Sequence, residues 1–554
     1  MYTKKVAYFS MGSGIHNDFL TYSGGLEILA GDMIKEVIDS YPLHPITFFH
    51  LLWKKGYAYQ RILANGEVID VEPTNNNWEQ YVEDTGKKVH VKIFGHDVAV
   101  KIWKLKEGPV YYLDTDLDEN HGFHNITHHL YGGAWDNSAK ERIAQEIVLG
   151  IGGVRAIEAL GLEIDGYHYN DGHPAFAGIE LISQRMDYYR TMKPGLTENG
   201  CFEHALKYVK DRTVFTTHTN VPAGNESHNV DLLMEVGANS GLTREQMVKI
   251  GGDPFGMTVA SLKLSSKANG VSRIQTLAAK KMWAGVDTAP DIIAITNGVH
   301  RRTWQDSDIG KAFMACNLDG IYNAHQSRKQ EVLDLVYEKT GVRFKLDKLT
   351  IIFARRGTEY KRGDLIAREE AMLDYLINTH GIQIIYAGKA HRDDKDGKAI
   401  IGWMGKISKK YPNNIVYLEG YDIDMAQDLV SGGDIWLNNP RYLNEACGTS
   451  GMKGAMNGTL NLTTADGWCR EGIIHGVNGW IIGDAKVEES WLQDQKDAKS
   501  LMDLLINEIV PMYHGDKQHW KQMMFASIAM SIYQYSTTRM VEEYEVNLYN
   551  HIKV

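Results

Sequence analysis

The sequence predicts an α/β fold built as two domains, and three observations carry that expectation. Four apolar runs, TIIFARR, IQIIYAG, NIVYLEG and DIWLNNP, begin near residues 350, 382, 414 and 434. Segments of helical character separate them: RGDLIAREEAMLDYLINTHG, IIGWMGKISKKYP and DMAQDLVSGG. Crossovers of that length join parallel strands, and continuous rather than alternating apolar runs suit strands covered on both faces, so this region reads as a doubly wound sheet. The first half repeats the mixture, with KKVAYFSMG, GYHYNDGHPAFAGIELI, RTVFTTHTN and DIIAITNGVH as its strand-bearing segments. The expected division is an N-terminal α/β domain over 1–295, a C-terminal α/β domain over 296–530 and a terminal helix over 531–554, from the amphipathic stretch MSIYQYSTTRMVEEYEVNLYNHI.

Composition bounds the function. The 554 residues are 43% hydrophobic and 10% aromatic, with 54 glycines and 12 prolines, enough for two well-packed cores. A net charge of −11, from 59 basic and 70 acidic residues, excludes bulk affinity for nucleic acid or an anionic membrane; any anion must be held by a local basic cluster. Four cysteines, at 201, 316, 447 and 469, have no metal spacing and fit a reducing cytoplasm. The apolar run in MYTKKVAYFSMG is too short for a signal peptide, and no run reaches the length of a membrane span. With no HExxH, GxSxG or cysteine-nucleophile pattern, no metal, serine or thiol mechanism is expected.

Two segments follow predicted strands, where sites in such sheets gather. ARRGTEYKRGD, residues 354–364, places Arg355, Arg356, Lys361 and Arg362 within eight positions. Either it is an anion site, with guanidinium forks and mobile ammonium groups suited to phosphate oxygens, or it is a solvated loop; the strand end favours the former. NEACGTSGMKGAMNGTLNLTTADGW, residues 444–468, puts Gly448, Thr449, Ser450 and Gly451 at the expected start of a helix. Free amides and the helix dipole there suit a phosphate. Lys453 just beyond is either a simple phosphate contact or a lysine able to form a Schiff base with pyridoxal phosphate. SGGLEILAGD, residues 23–32, is a second glycine turn entering a helix. His173 and His218 lie in turns near strand ends, where a lone histidine is more often structural than catalytic.

These segments resemble the α-glucan phosphorylases, the family of glycogen, starch and maltodextrin phosphorylases. The resemblance runs through YSGGLEILAGD, HYNDGHPAFAGIELI, FTTHTNVPAG, ANGVSRIQTLAAKKMW, ITNGVHRRTW, FARRGTEYKRGDL and EACGTSGMKGAMNGTLNLTTADGW, in the family's order over most of residues 5–480. It is nearest the short bacterial and archaeal type, without the regulatory extension and allosteric control of animal members. The resemblance implies two Rossmann-like domains facing across a cleft, the glycosyltransferase B type. It implies pyridoxal phosphate on Lys453, its phosphate held by Gly448, Thr449 and Arg355. Arg356 and Lys361 match residues that bind substrate phosphate, and Glu445 one that bonds sugar hydroxyls. His218 and Asn297 match contacts to the glucosyl unit; Gly25, beside Gly24, matches a backbone donor to phosphate. Lys453, Arg356, Lys361 and His218 are then the expected catalytic set. The partners implied are α-glucan, inorganic phosphate and glucose 1-phosphate, with a homodimer by analogy.

The implied reaction exchanges a terminal α-1,4 link for an α-linked phosphate with retention. The motifs supply no glycosidase-type nucleophilic carboxylate, so phosphate itself protonates the leaving oxygen. Five positions depart from the family pattern: Glu27 in place of a glycine, Cys447 in place of serine, Asn444, Asp422 and Gln275. The helix SGGLEILAGD is expected to turn Leu26 and Leu29 inward and leave Glu27 on a solvent-facing flank. Two alternatives stand beside this reading: a retaining nucleotide-sugar glycosyltransferase of the same fold, and a catalytically silent glucan-binding homologue.

Overall fold

The computed structural model describes residues 4–40, 44–72, 76–133, 135, 137–219 and 225–554. It is a mixed α/β protein that divides into two compact units, one of Met1–Tyr57, Pro73–Ile295 and Met540–Val554, the other of Ala58–Glu72 and Thr296–Arg539.

The first unit is built on a nine-stranded sheet in the order Ile292–Ala294, Lys267–Gly270, Thr213–Thr217, Gly166–Asn170, Val6–Phe9, Ile46–Leu51, Val110–Asp114, His96–Leu105, Val82–Ile93. The first seven strands run parallel, and the last two are added through antiparallel pairings, so only His96–Leu105 runs opposite to the rest. Ala7 and Phe9 of the central strand join one core cluster with Phe49 and Leu51, while Val6 and Tyr8 join another with Ile46 and Phe48. Burial on both faces is what makes KKVAYFSMG a continuous apolar run. Helix Ala175–Met192 packs into the first cluster and helix Gly25–Ser40 into the second.

The stretch expected as a separate terminal helix, 531–554, is divided. Helix Thr537–Asn547 and the short turn Tyr549–His551 send Met540, Val541, Tyr544, Leu548, Tyr549 and Ile552 into the second cluster. That apolar stripe covers the face of the first unit's sheet, so the chain's end completes this unit's layers. The 1–295 stretch is likewise interrupted. Its hairpin Tyr59–Ile62/Val68–Val71 groups with the second unit: Gln60 exchanges hydrogen bonds with the backbone of Ala390, at 2.9 and 2.8 Å, and Val68 packs with Ala390 and Ile401. Sequence periodicity gave no sign of this exchange.

In the second unit all six strands are parallel, ordered Ile415–Leu418, Gln383–Ala387, Thr350–Ala354, Ile435–Asn438, Leu460–Thr464, Gly479–Ile482. Counted along this unit the order is 3-2-1-4-5-6, the doubly wound pattern whose ligands bind where the order reverses, outside the carboxyl ends of strands 1 and 4. Those ends are Ala354 and Asn438. The residues after them are ARRGTEYKRGD and, beyond NPRYL, NEACGTSGMKG. Among the described residues no helix is long and apolar enough to cross a membrane.

Candidate active site

Strand Thr350–Ala354 ends inside the sheet and delivers Arg355 and Arg356 at its carboxyl edge. Arg355 is 6% exposed and Arg356 is exposed. Arg355 Nη2 forms an ion pair with Glu445 Oε2, and its Nη1 is buried without a hydrogen-bond partner. The short helix Glu359–Lys361 then turns Lys361 back toward the same charges. Its side chain keeps some surface, yet loss of hydration pulls the ammonium's pKa down to about 8; Arg355 and Arg356 repel it further and Glu445 opposes them. Burial alone would raise the Glu445 carboxyl, but Arg355 and Lys361 outweigh it and hold it below the ordinary carboxylate value.

Arg362, the fourth cation of the segment, does not belong to the cluster. It is fully buried at φ +50°, and its guanidinium is used up on Asp494 (3.0 Å), Asp497 (2.8 Å) and the carbonyls of Asn439 and Pro440 (both 2.9 Å). It fastens the loop to the strand end, leaving Arg355, Arg356 and Lys361 as the cations near Glu445.

The second segment approaches from the neighbouring strand Ile435–Asn438. Gly448 sits at φ +79°, which favours glycine, and a Cβ there would lie a tight 3.2 Å from Glu445 Cγ. Thr449 is the N-cap of helix Ser450–Ala455, which carries Lys453 in its last turn. Lys453 is 7% exposed, with Nζ 3.5 Å from the centroid of the Trp304 ring. Asn457 ties the two together, donating to the carbonyls of Trp304 (2.7 Å) and Lys453 (2.9 Å). Trp304 lies within the ITNGVHRRTW motif, but the sequence carried no signal that it would floor the lysine. Asn297 of that motif is buried, with Oδ1 unpartnered and its backbone N–H directed at Cys447 Sγ. Asp466 was also missed. Buried and accepting from the amides of Glu445 (2.8 Å) and Gly467 (2.9 Å), its carboxyl is raised by burial to about 7.

The remaining predicted residues lie in the first unit. Asn170 Nδ2 donates to Ser10 Oγ at 3.3 Å, which leaves Asn170 Oδ1 as acceptor for His218 Nε2 at 2.6 Å. Burial lowers the His218 pKa, so the neutral ring donates through Nε2 and presents Nδ1 as an acceptor. The motif FTTHTNVPAG continues into residues 220–224, outside the described residues. Gly24 and Gly25 have no positive φ, and a Cβ on either would meet no atom within 4 Å.

Glu27 corrects the sequence reading. It is 1% exposed, not on a solvent flank. Oε2 accepts from Gly24 N (2.9 Å), Ser23 Oγ (3.1 Å) and Ser23 N (3.3 Å), and Oε1 from the Tyr131 hydroxyl. An N3 carboxylate reaching back to the N-cap amide is one half of a capping box, and Tyr131, distant in sequence, supplies the partner that draws it inward. Two other departures have local uses: Asp422 caps helix Ile423–Gly432 through the Met425 amide at 2.9 Å, and buried Gln275 accepts from Val271 N at 2.9 Å.

A family model described as carbohydrate phosphorylase matches residues 315–474, the stretch holding the cation cluster, Glu445 and Lys453. The maltodextrin phosphorylase of Thermococcus litoralis is 36% identical over 98% of this chain and 70% of its own length. The chain belongs to the α-glucan phosphorylase family. The glycogen phosphorylase of Aquifex aeolicus is 31% identical over all of this chain and 87% of its own. An uncharacterized protein of Methanocaldococcus jannaschii is 33% identical over 99% of this chain and its own full length.

Proposed function

We propose that the protein is an α-1,4-glucan phosphorylase carrying pyridoxal phosphate on Lys453, which transfers the terminal glucosyl unit of an α-glucan to inorganic phosphate with retention, giving α-D-glucose 1-phosphate. The observation that supports it most is the buried Lys453 on the helix after Gly448–Thr449, in a unit whose Arg355 keeps a buried guanidinium nitrogen unpartnered. A nucleotide-sugar enzyme has no use for that lysine.

The residues present fit the cofactor. Lys453 offers its amine from a dry surface floored by Trp304, and Arg355 Nη1 with the turn at Gly448 and Thr449 suits its phosphate. When bound, pyridoxal phosphate supplies a second phosphate that stabilises or relays charge beside the substrate's. Arg356 and Lys361 hold inorganic phosphate, whose monoanion persists at neutral pH and can give its proton to the leaving sugar oxygen as the glycosidic bond breaks and the new bond to phosphate forms. Glu445, kept ionised by Arg355 and Lys361, accepts from sugar hydroxyls, as does Asn297 Oδ1. His218, neutral and oriented by Asn170, binds the glucosyl unit, and Gly25 offers its backbone to an oxygen ligand beside Gly24, whose amide Glu27 holds. The glycosyltransferase B type of fold is proposed by analogy with the family. The enzyme works in a reducing cytoplasm, consistent with four unpaired cysteines, and a homodimer is proposed by analogy with the family alone.

The test joins a spectrum to an assay. Purified protein is expected to absorb as a pyridoxal enzyme, to shift on borohydride with the label mapping to Lys453, and to release glucose 1-phosphate from maltodextrin and phosphate. Colourless protein that uses a nucleotide sugar would establish the glycosyltransferase instead, and labelled protein with no product the silent homologue.

A further inference from the structure

Beneath the His173 turn, the first unit brings together ionisable side chains that the reaction does not use. Glu146 lies near the end of helix Ser138–Ile147, and Glu226 and His228 come from the segment entering the strand Ser227–His228. Their ligand atoms all fall within 4.8 Å of one another, and His228 Nε2 is 3.2 Å from Glu146 Oε2. His173, from the turn after strand Gly166–Asn170, places Nε2 3.9 Å from Glu226 Oε2. Glu146 is fully buried and its Oε1 has no hydrogen-bond partner; His173 Nδ1 is buried and unpartnered as well. A fully buried carboxyl oxygen without a partner is rare because its desolvation is uncompensated.

We propose that Glu146, Glu226, His228 and His173 form a binding site for one divalent cation of the zinc class. Mixed imidazole and carboxylate donors at this number match tetrahedral zinc chemistry and do not match calcium or magnesium, which take more oxygens. Arg142 stands beside the site without closing it. Its Nε donates to Glu226 Oε1 at 3.0 Å and its guanidinium stacks on the Tyr131 ring at 4.6 Å, so one Glu226 oxygen is taken and Oε2 faces the other donors. The ion would tie helix Ser138–Ile147 to the segment bearing Glu226 and His228, a structural site beside the turn that precedes helix Ala175–Met192. Sequence spacing could not reveal it, because the donors come from three elements and Glu146 and His228 stand 82 residues apart.

The experiment uses the full chain with its native complement of cofactor, stripped with a chelator and titrated with Zn2+ in a phosphate-free buffer by calorimetry, with melting temperature followed in parallel. One equivalent is expected to saturate the parent and raise its melting temperature. Glu146→Gln and His228→Gln should each weaken that binding by about 100-fold or more and abolish the thermal gain. Glu146→Gln is near-isosteric and mimics a carboxyl sharing a proton with Glu226, so it keeps the fold under either account. Zn2+ binding that is absent in the parent, or identical in parent and both variants, overturns the site and leaves a proton-sharing carboxyl pair.

Discussion

Two glycine turns open helices at the carboxyl edges of the two sheets, and they are electrostatic opposites. In the first unit Gly24 and Gly25 have ordinary backbone angles and open space around them, but Glu27 folds back and takes the amides of Ser23 and Gly24 together with the Ser23 and Tyr131 hydroxyls. In the second, Gly448 is needed for its positive φ, no side-chain cap is present at Thr449, and Arg355, Arg356 and Lys361 converge with one guanidinium nitrogen unpartnered. One turn already holds its own anion. The other gathers three cations around one ionised carboxylate, Glu445. A glycine turn before a helix therefore does not say whether an outside anion binds; side chains arriving from other elements, Tyr131 in one case and Arg355 in the other, decide it.

The most severe way to break the second turn is to remove its lysine. Lys453→Ala is expected to give folded, cofactor-free protein with no measurable glucose 1-phosphate formation, read from the visible spectrum and the product assay. Lys453→Arg should fail equally, because a guanidinium keeps the charge over Trp304 but cannot replace the amine. Retained cofactor with near-parent turnover in either variant would remove Lys453 from the site.

The cluster's cations come next. Arg356→Ala and Lys361→Ala each delete a charge-assisted contact of about 1.5–3 kcal/mol, a loss of roughly 10- to 150-fold in kcat/KM for phosphate, with the glucan KM unchanged. Superimposable phosphate saturation curves would mean a solvated loop.

A pH profile sharpens the same point. Lys361 must be protonated to hold phosphate, and its pKa is about 8 instead of the ordinary 10.5, so phosphate affinity should fall as pH rises through about 8. Stability should move the other way. Between about 8 and 10.5 the unfolded chain binds a proton that the folded chain has released, so this group's contribution rises with pH over that window. Lys361→Arg should remove the alkaline loss of phosphate use. An unchanged profile in that variant would assign the loss to another group.

How far the sequence reached differs along the chain. All four runs in the second half became strands of one parallel sheet, because buried parallel strands are written as short continuous apolar stretches with helical crossovers between them. The position of Arg355 and Arg356 at a strand's carboxyl end was legible because they directly follow the apolar run TIIFA. Arg362 was misgrouped since nothing local distinguishes a cation that turns inward to Asp494 and Asp497 from one that faces a ligand. Glu27 was misplaced for the same reason in reverse: helical periodicity put it on a flank, and Tyr131, 104 residues away, drew it in. The hairpin within 58–72 and the terminal helix changed unit because tertiary packing, not composition, sorts them.

The smallest effect, and the closest test of the contrast between the turns, belongs to Glu27. Glu27→Gly strands the Ser23 and Gly24 amides and the Tyr131 hydroxyl, and opens space beside Gly12, whose ideal Cβ would lie 3.2 Å from Glu27 Cγ. A carboxylate with several donors is worth more than a helix-dipole complement of about 0.3–1 kcal/mol, so the expected cost is about 2 kcal/mol or more, seen as a lower melting temperature. Glu27→Gln, which keeps an acceptor for Gly24 N, should recover part of it. If the carboxylate only locks the turn, the phosphate KM stays within about 2-fold of the parent in both variants, less than 0.5 kcal/mol. A phosphate KM that tightens several-fold in Glu27→Gly and not in Glu27→Gln would mean that the resident carboxylate competes with phosphate for those amides, and that the first turn, like the second, is a phosphate site held partly closed by its own side chain.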